Sequence, residues 1–369
     1  MQLRKPSRIT VIVGSVGAVV VLVAALLVAN RSTVAPSRLT VPTATTVPGG
    51  AQETVAPPPP RQSQGHHSSR IRGVGEYSTT VTETGRILCV PSTGSCSTRS
   101  YLLHVYYPST TRTEVMPSIN SAPATGGSPY PLIVFAAGFD VDPSNYLPLI
   151  NGWVRRGYVV AAPRFPLSSA WAIAHYGVNL SNTQLSDEFE SDMLNQPGDM
   201  RAAITEVGLL NSNPAIPVSG LVNMNEIAAA GQSDGGDTTL AFADNTCCRD
   251  SAVKAAIVLS GAEFPPFHGQ YFPSPPVPLM VAQGTADTVN PPQLSAEIYA
   301  QAPSPKVLLQ LLGADHLEAY TQTNAYEASV LRTSLAFLAT YLGGAPVAAT
   351  HLASVGDVAG VSSEQADLS

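Results

Sequence analysis

The stretch Ile227-Ala228-Ala229-Ala230-Gly231-Gln232-Ser233-Asp234-Gly235 decides the fold. Four apolar residues lead into a serine between two glycines, the G-x-S-x-G pattern of a strand that turns sharply into a helix. At such a turn a side chain on either glycine would collide with neighbouring strand and helix. The turn also leaves the Ser233 hydroxyl exposed near a helix N-terminus, where backbone N–H groups can meet a developing anion. A bare pattern of this kind also arises as an ordinary Gly/Ser turn, so its surroundings must supply its meaning.

Short apolar runs alternate with helical patterns on both sides of it. Leu132–Ala136, Tyr158–Ala162, Ala255–Leu259, Pro278–Ala282 and Val307–Leu312 read as buried parallel strands. Tyr146–Arg156, Gly198–Leu210, Asp234–Asp244, Pro292–Ala300 and Tyr326–Leu342 read as the helices between them. Thr79–Thr82 and Ser100–Tyr107 alternate as half-buried strands do, which puts an antiparallel edge before the parallel strands. The expected class is α/β, a mainly parallel central sheet flanked by helices, over residues 74–345.

A serine nucleophile needs a base, a group that orients the base, and donors for the oxyanion. Past the run ending at Ala282 comes Gln283-Gly-Thr-Ala-Asp287, and past Val307–Leu312 comes Gly313-Ala-Asp-His316. Both polar groups therefore fall just beyond the C-terminal ends of strands, as Ser233 does, and can converge on one sheet edge. Ser233 is expected to attack, His316 to take and return the proton, and Asp287 to fix the imidazole tautomer. Glu263, after Ala255–Leu259, is a rival for the acid. Asp315 should point elsewhere; His268 is a pocket or surface residue; His104, His175 and His351 read as strand, loop and tail positions. The oxyanion pair is expected from the N–H of Asp234 and that of Phe139, in the loop Ala137-Gly138-Phe139 that follows Leu132–Ala136.

Together, "PLIVFAAGFDVDPSNYLPLINGWVRRGYVVAAPRFP", "NQPGDMRAAI", "AAAGQSDGG", "PLMVAQGTADTVNPP" and "LLGADH" resemble the α/β-hydrolase superfamily. The nearest branch is the dienelactone-hydrolase-like one that holds chlorophyllase, platelet-activating-factor acetylhydrolase-like esterases and bacterial polyester hydrolases. The resemblance covers residues 75–343 and implies the α/β-hydrolase fold, with Ser233, Asp287 and His316 as triad and Phe139 with Asp234 as oxyanion pair. It further implies that Phe139 and Phe264 border the acyl cleft. Ala136-Ala137 and the Gln232 and Asp234 flanking Ser233 depart from the usual residues. Those side chains are expected to be peripheral to the chemistry, so the departures bear on substrate range. The implied activity is a serine carboxylester hydrolase working through an acyl-enzyme. The alternatives are a cell-envelope acyltransferase with the same triad, or an inactive hydrolase-fold binding module.

Pro166–Pro197 is a long insertion with weak periodicity that carries Trp171, Tyr176 and the acids Asp187, Glu188, Glu190 and Asp192. It reads either as a cap over the cleft, with Trp171 a substrate wall, or as a surface excursion with a solvated acidic face. The chain is 44% hydrophobic but only 12% charged. Its formal charge of -7 is uneven: residues 1–75 hold eight Lys/Arg against one acid, Glu53. The body is therefore strongly acidic, which argues against nucleic acid as a partner.

Arg4, Lys5 and Arg8 precede an uncharged stretch from Ile9 to Ala29. As a helix it would be about 31 Å long, enough for a bilayer core of about 30 Å. An uncleaved transmembrane signal anchor (residues 1–30) is favoured over a cleaved signal peptide, so the body is expected outside the cytoplasm, either tethered to the membrane or secreted. Residues 31–73, rich in Thr, Pro and Ser, should form an extended linker, and 346–369 a disordered tail. His66-His67 in the linker reads as a solvated pair. Four cysteines fit export. Three connectivities are possible, with Cys89–Cys96 and Cys247–Cys248 preferred. Neither pair has C-x-x-C spacing, so no metal is expected, and no cofactor.

Overall fold

Strands with apolar side chains on both faces must be covered on both faces, and the chain meets that demand with one large sheet between helical layers. The computed structural model describes residues 69–342 and 349–369. In chain order the strands are β1 (Gly73–Cys89), β2 (Cys96–Ser109), β3 (Ser118–Ile119), β4 (Tyr130–Ala136), β5 (Val159–Arg164), β6 (Val222–Gln232), β7 (Val253–Leu259), β8 (Leu279–Gly284), β9 (Lys306–Leu311) and β10 (Ser362–Asp367). The helices are α1 (Leu147–Arg155), α2 (Ala170–His175), α3 (Thr183–Glu190), α4 (Gln196–Asn211), α5 (Asp234–Asp244), α6 (Pro292–Gln301), α7 (Glu318–Thr321), α8 (Ala325–Tyr341) and α9 (Ala349–Leu352).

The strands form one mixed sheet in the order β10-β9-β8-β7-β6-β4-β5-β2-β1-β3. From β5 through β4 to β9 every pairing is parallel. β1 and β2 form the expected antiparallel edge, and β2 lies antiparallel on β5. Alternation divides the strands between two cores: Leu132 and Val134 join the one beneath α4 and α5, Ile133 and Phe135 the one beneath α1 and α8.

The chain leaves β4 for β5 on one side and returns to β6 on the other. That reversal opens a crevice at the C-terminal ends of β4 and β6. Ala136 at the end of β4 is the register partner of Gly231, so the loop carrying Phe139 lies beside the turn carrying Ser233.

Two expectations need correction. Residues 349–369 are not a disordered tail: β10 pairs antiparallel along all of β9, from Ser362 opposite Leu311 to Asp367 opposite Lys306. Its sequence, SSEQAD, carries no apolar pattern, because an edge strand is held by backbone pairing as much as by side-chain burial. Ser362 is buried and bonds Gly356 and Ser329 through its hydroxyl, which fastens the strand to α8. Nor is the acidic face of Pro166–Pro197 wholly solvated. Asp187 and Glu188 are exposed, but Asp192 is buried against Arg99. The insertion folds into α2, α3 and a 3-10 turn, Ser191–Asn195, leading into α4.

Cys89 and Cys96 are register partners at the turn end of the β1–β2 hairpin and are bridged. Cys247 and Cys248 form a vicinal bridge just past α5. The anchor over Ile9–Ala29, the linker up to His67-Ser68 and residues 343–348 lie outside the described residues. Among the described residues no helix is long and apolar enough to cross a membrane.

Candidate active site

Ser233 joins β6 to α5 at φ 56° and ψ -126°, a conformation that an L-residue adopts only under constraint. The constraint is visible on both flanks. A Cβ at Gly231 would overlap the Gly235 carbonyl, and a Cβ at Gly235 would overlap the Ala136 carbonyl at the end of β4. The Ser233 N–H donates to the Leu259 carbonyl at 2.9 Å, and its own carbonyl accepts from the N–H groups of Gly236 and Asp237. Strand, turn and helix therefore fix the serine from three sides.

The Ser233 Oγ lies 2.8 Å from His316 Nε2, and His316 Nδ1 lies 2.7 Å from Asp287 Oδ2. Asp287, in the loop after β8, has a fully buried side chain, while the His316 side chain, after β9, is 13% exposed. Asp287 Oδ1 accepts from the N–H groups of Val289 and Asn290, and Oδ2 also accepts from Gln283 Nε2 at 2.8 Å. These donors hold the carboxylate in place while leaving Oδ2 facing the imidazole. Three residues distant in sequence are thus brought into one hydrogen-bonded line.

The rival residues lie apart from that line. Asp315 accepts from the N–H groups of Leu317 and Glu318, starting α7, and so does point elsewhere. Glu263 is half-buried with one oxygen unpartnered, and no hydrogen bond joins it to His316. His104 pairs with Glu76 on the β1–β2 face, His268 is exposed, His175 ends α2 and His351 lies in α9.

Among the described residues, neither the N–H of Phe139 nor that of Asp234 donates to another residue's carbonyl. The loop around Phe139 is nevertheless tied down: the Gly138 N–H donates to the Tyr146 hydroxyl, and the Asp140 N–H to the Ser168 carbonyl at 2.7 Å. A Cβ at Gly138 would stand 2.8 Å from Gln232 Oε1 and 3.1 Å from Ser233 Cβ, so glycine is needed for the loop to approach the elbow.

The two aromatic residues expected at the cleft pack against separate apolar clusters. Phe139 packs with Leu167, Ile173 and Phe189, and Phe264 with Met193 and Phe267. Leu167, Ile173, Phe189 and Met193 all belong to the 166–197 insertion, which therefore touches both expected cleft residues. Trp171 is 41% exposed, stacks on His175 at 4.5 Å and lies under the Arg164 guanidinium at 4.6 Å. Among the described residues its ring makes no hydrogen bond or ring contact with Ser233, Asp287 or His316, and its backbone N–H approaches Asp142 beyond the Phe139 loop.

Asp234 and Asp237, in the first turn of α5, are buried near Glu190 of the insertion. Burial, with those neighbouring charges, pushes the Asp234 carboxyl well above the usual carboxylate range. Asp237 is pushed up to about 7 by burial, against the opposing hydrogen bond from the Ala262 N–H at 2.6 Å. An unfolded aspartate titrates near pH 4, so between about pH 4 and pH 7 the folded chain holds a proton that the unfolded chain has released. This contribution makes stability fall as pH rises through that window. Asp237→Asn retains an oxygen for the Ala262 N–H. It is expected to stabilise the protein by on the order of 1–4 kcal/mol at pH 8 relative to its effect at pH 4. Thermal melts at the two pH values measure this, and an equal effect at both would contradict it.

Reading the chain as a string missed Tyr146, Gln283 and Asn290, and placed Gln232 at the periphery. Gln232 in fact lies against His316, with its amide Nε2 3.0 Å from the His316 carbonyl. That corrects the expectation for this side chain. Its place inside the glycine-flanked motif was the only available signal. Tyr146, 86 residues away, carried none.

No protein-family model matches the chain, and no curated protein matches it. Its structure is similar to that of a ferulic acid esterase from Streptomyces cinnamoneus, with a TM-score of 0.51 at 17% sequence identity. The match covers 76% of this chain and 95% of that one. At that identity the likeness shows a shared fold and nothing further.

Proposed function

We propose that the chain is a serine carboxylester hydrolase that works through an acyl-enzyme. The observation that carries this reading is the line Ser233 Oγ–His316–Asp287, with contacts of 2.8 and 2.7 Å, beside the N–H groups of Phe139 and Asp234, neither of which donates to another residue's carbonyl among the described residues. His316 Nε2 removes the hydroxyl proton as Oγ attacks the ester carbonyl. The negative charge that develops on the carbonyl oxygen is met by the N–H groups of Phe139 and Asp234. His316 then hands its proton to the leaving alcohol, and a water activated by the same imidazole releases the acid. Asp287 keeps the proton on Nδ1, so that Nε2 is the basic nitrogen. Phe139 and Phe264 would border the acyl group, with the 166–197 insertion behind them as a partial cap and Trp171 at its outer rim. The same motifs support placing the chain in the α/β-hydrolase superfamily, near the chlorophyllase and polyester hydrolase branch.

The apolar stretch Ile9–Ala29 supports a second part of the proposal: the catalytic domain sits outside the cytoplasm on an uncleaved anchor. One experiment tests both parts. Membrane-extracted full-length protein is treated with a fluorophosphonate, and its intact mass and the modified residue are determined. The expected result is a single adduct on Ser233 in a chain that retains its first thirty residues. A folded protein that is not labelled at Ser233 would overturn the esterase reading, and loss of the N-terminal segment would overturn the anchor.

A further inference from the structure

Gln232 stands between Gly231 and Ser233, is completely buried, and uses both ends of its amide. Its Oε1 accepts from the Tyr146 hydroxyl at 2.7 Å. Its Nε2 donates to the His316 carbonyl at 3.0 Å and lies 3.3 Å from His316 Nε2, the same nitrogen that meets Ser233 Oγ. Tyr146, itself fully buried, accepts from the N–H of Gly138, the residue before Phe139. A continuous chain of hydrogen bonds thus runs from the loop after β4, through Tyr146 and Gln232, to the imidazole after β9.

The directions of the bonds that join Gly138, Tyr146, Gln232 and the His316 carbonyl are determined. Burial raises the Tyr146 phenol above its ordinary pKa, so it stays a donor. One of its lone pairs faces the Gly138 N–H, and its O–H therefore serves Gln232 Oε1. Turning the Gln232 amide over would set its oxygen against the His316 carbonyl oxygen, so Nε2 must face His316. Nε2 then has a second N–H near the imidazole nitrogen. The lone pair of that nitrogen is taken by Ser233 Oγ at 2.8 Å, so the bond by which Gln232 holds this segment is the shorter one to the His316 carbonyl. Once that nitrogen is protonated, the amide offers it no acceptor, and its N–H is directed toward the substrate oxygen.

We propose that Tyr146 and Gln232 are positioning residues that couple the oxyanion loop to the general base, so that anion donors and imidazole are aligned by one buried link. The proposal rests on the esterase reading above. Misplacing catalytic groups by as little as 1 Å costs about 10²-fold in rate without changing what binds.

The test measures kcat and KM for p-nitrophenyl ester hydrolysis by the full chain, with Tyr146→Phe, Gln232→Met and the double variant beside wild type and Ser233→Ala. Each single variant is expected to lower kcat by about 10- to 100-fold with KM within about twofold, and to slow fluorophosphonate labelling in parallel. The double variant is expected to be little worse than the poorer single one, because both remove the same link. Tyr146→Phe deletes a single oxygen, so it serves if Gln232→Met folds poorly, and melting curves verify folding. Single variants with kcat within twofold of wild type would overturn the proposal, as would independent losses that multiply in the double variant. If wild type hydrolyses the ester and Ser233→Ala does not, those results sink the coupling alone. A wild type without Ser233-dependent hydrolysis would sink the esterase reading and the coupling together.

Discussion

Ser233→Ala is expected to lower kcat/KM for a p-nitrophenyl ester by about 10⁴- to 10⁶-fold, while the melting temperature stays within about 2 °C of wild type. On the proposed mechanism the loss is large because the hydroxyl is the attacking group. The fold should not notice, because the features that hold the turn belong to its backbone. These are the bond from the Ser233 N–H to Leu259, the bonds from Gly236 and Asp237 to the Ser233 carbonyl, and the close approach of Gly231 and Gly235. Among the described residues the Oγ makes its one hydrogen bond to His316, which stays joined to Asp287 when the hydroxyl is removed. Residual hydrolysis above about one hundredth of wild type would mean that another group carries the reaction.

Arg99→Met is expected to cost about 3–5 kcal/mol of stability, a fall in melting temperature of roughly 6–15 °C. Arg99 is 1% exposed and grips two buried carboxylates. Its Nη1 and Nη2 meet Asp192 at 2.8 Å each, and its Nε and Nη2 meet Asp199 at 2.6 Å each. Arg86 adds a second cation on Asp199 and also binds the Asn195 carbonyl. The substitution leaves Asp192 without its cation, and an unpaired buried charge costs far more than the intact pair contributes. Arg99→Lys should rescue little, since an ammonium cannot present the planar fork that both carboxylates use. Because the pair ties the 166–197 insertion to β2, hydrogen exchange is expected to rise first in α3 and the turn after it. A melting temperature within 2 °C of wild type would show that this network does not hold the segment.

The two expected effects differ in how readable they were. Ser233, Asp287 and His316 each follow an apolar run, and a buried parallel strand must deliver whatever follows it to the same sheet edge. The convergence of Ser233, Asp287 and His316 was therefore visible without coordinates. The helix over Asp234–Asp244 was equally plain, because a turn at Ser233 leaves a helix as the only short route back over the sheet. By contrast, the acids of the insertion looked alike in sequence. Burial of Asp192 depends on Arg99, 93 residues earlier, and no local pattern announces such a pairing. β10 was hidden for a related reason: its partner is the backbone of β9, and backbone hydrogen bonds leave almost no trace in side-chain composition.

The sequence by itself determined the α/β class, the antiparallel edge, the convergence of Ser233, Asp287 and His316 on one sheet edge, and the disulfide pairing that was preferred. Each follows from hydrophobic periodicity or from short-range turn chemistry, which act between near neighbours in the chain. Only the tertiary structure decided how the insertion is pinned, what covers the β9 edge, and that Gln232 and Tyr146 join the loop after β4 to His316. Those features are contacts across 51 to 93 residues or more, set by which strands adjoin in the sheet, and adjacency in space is what a linear pattern does not carry.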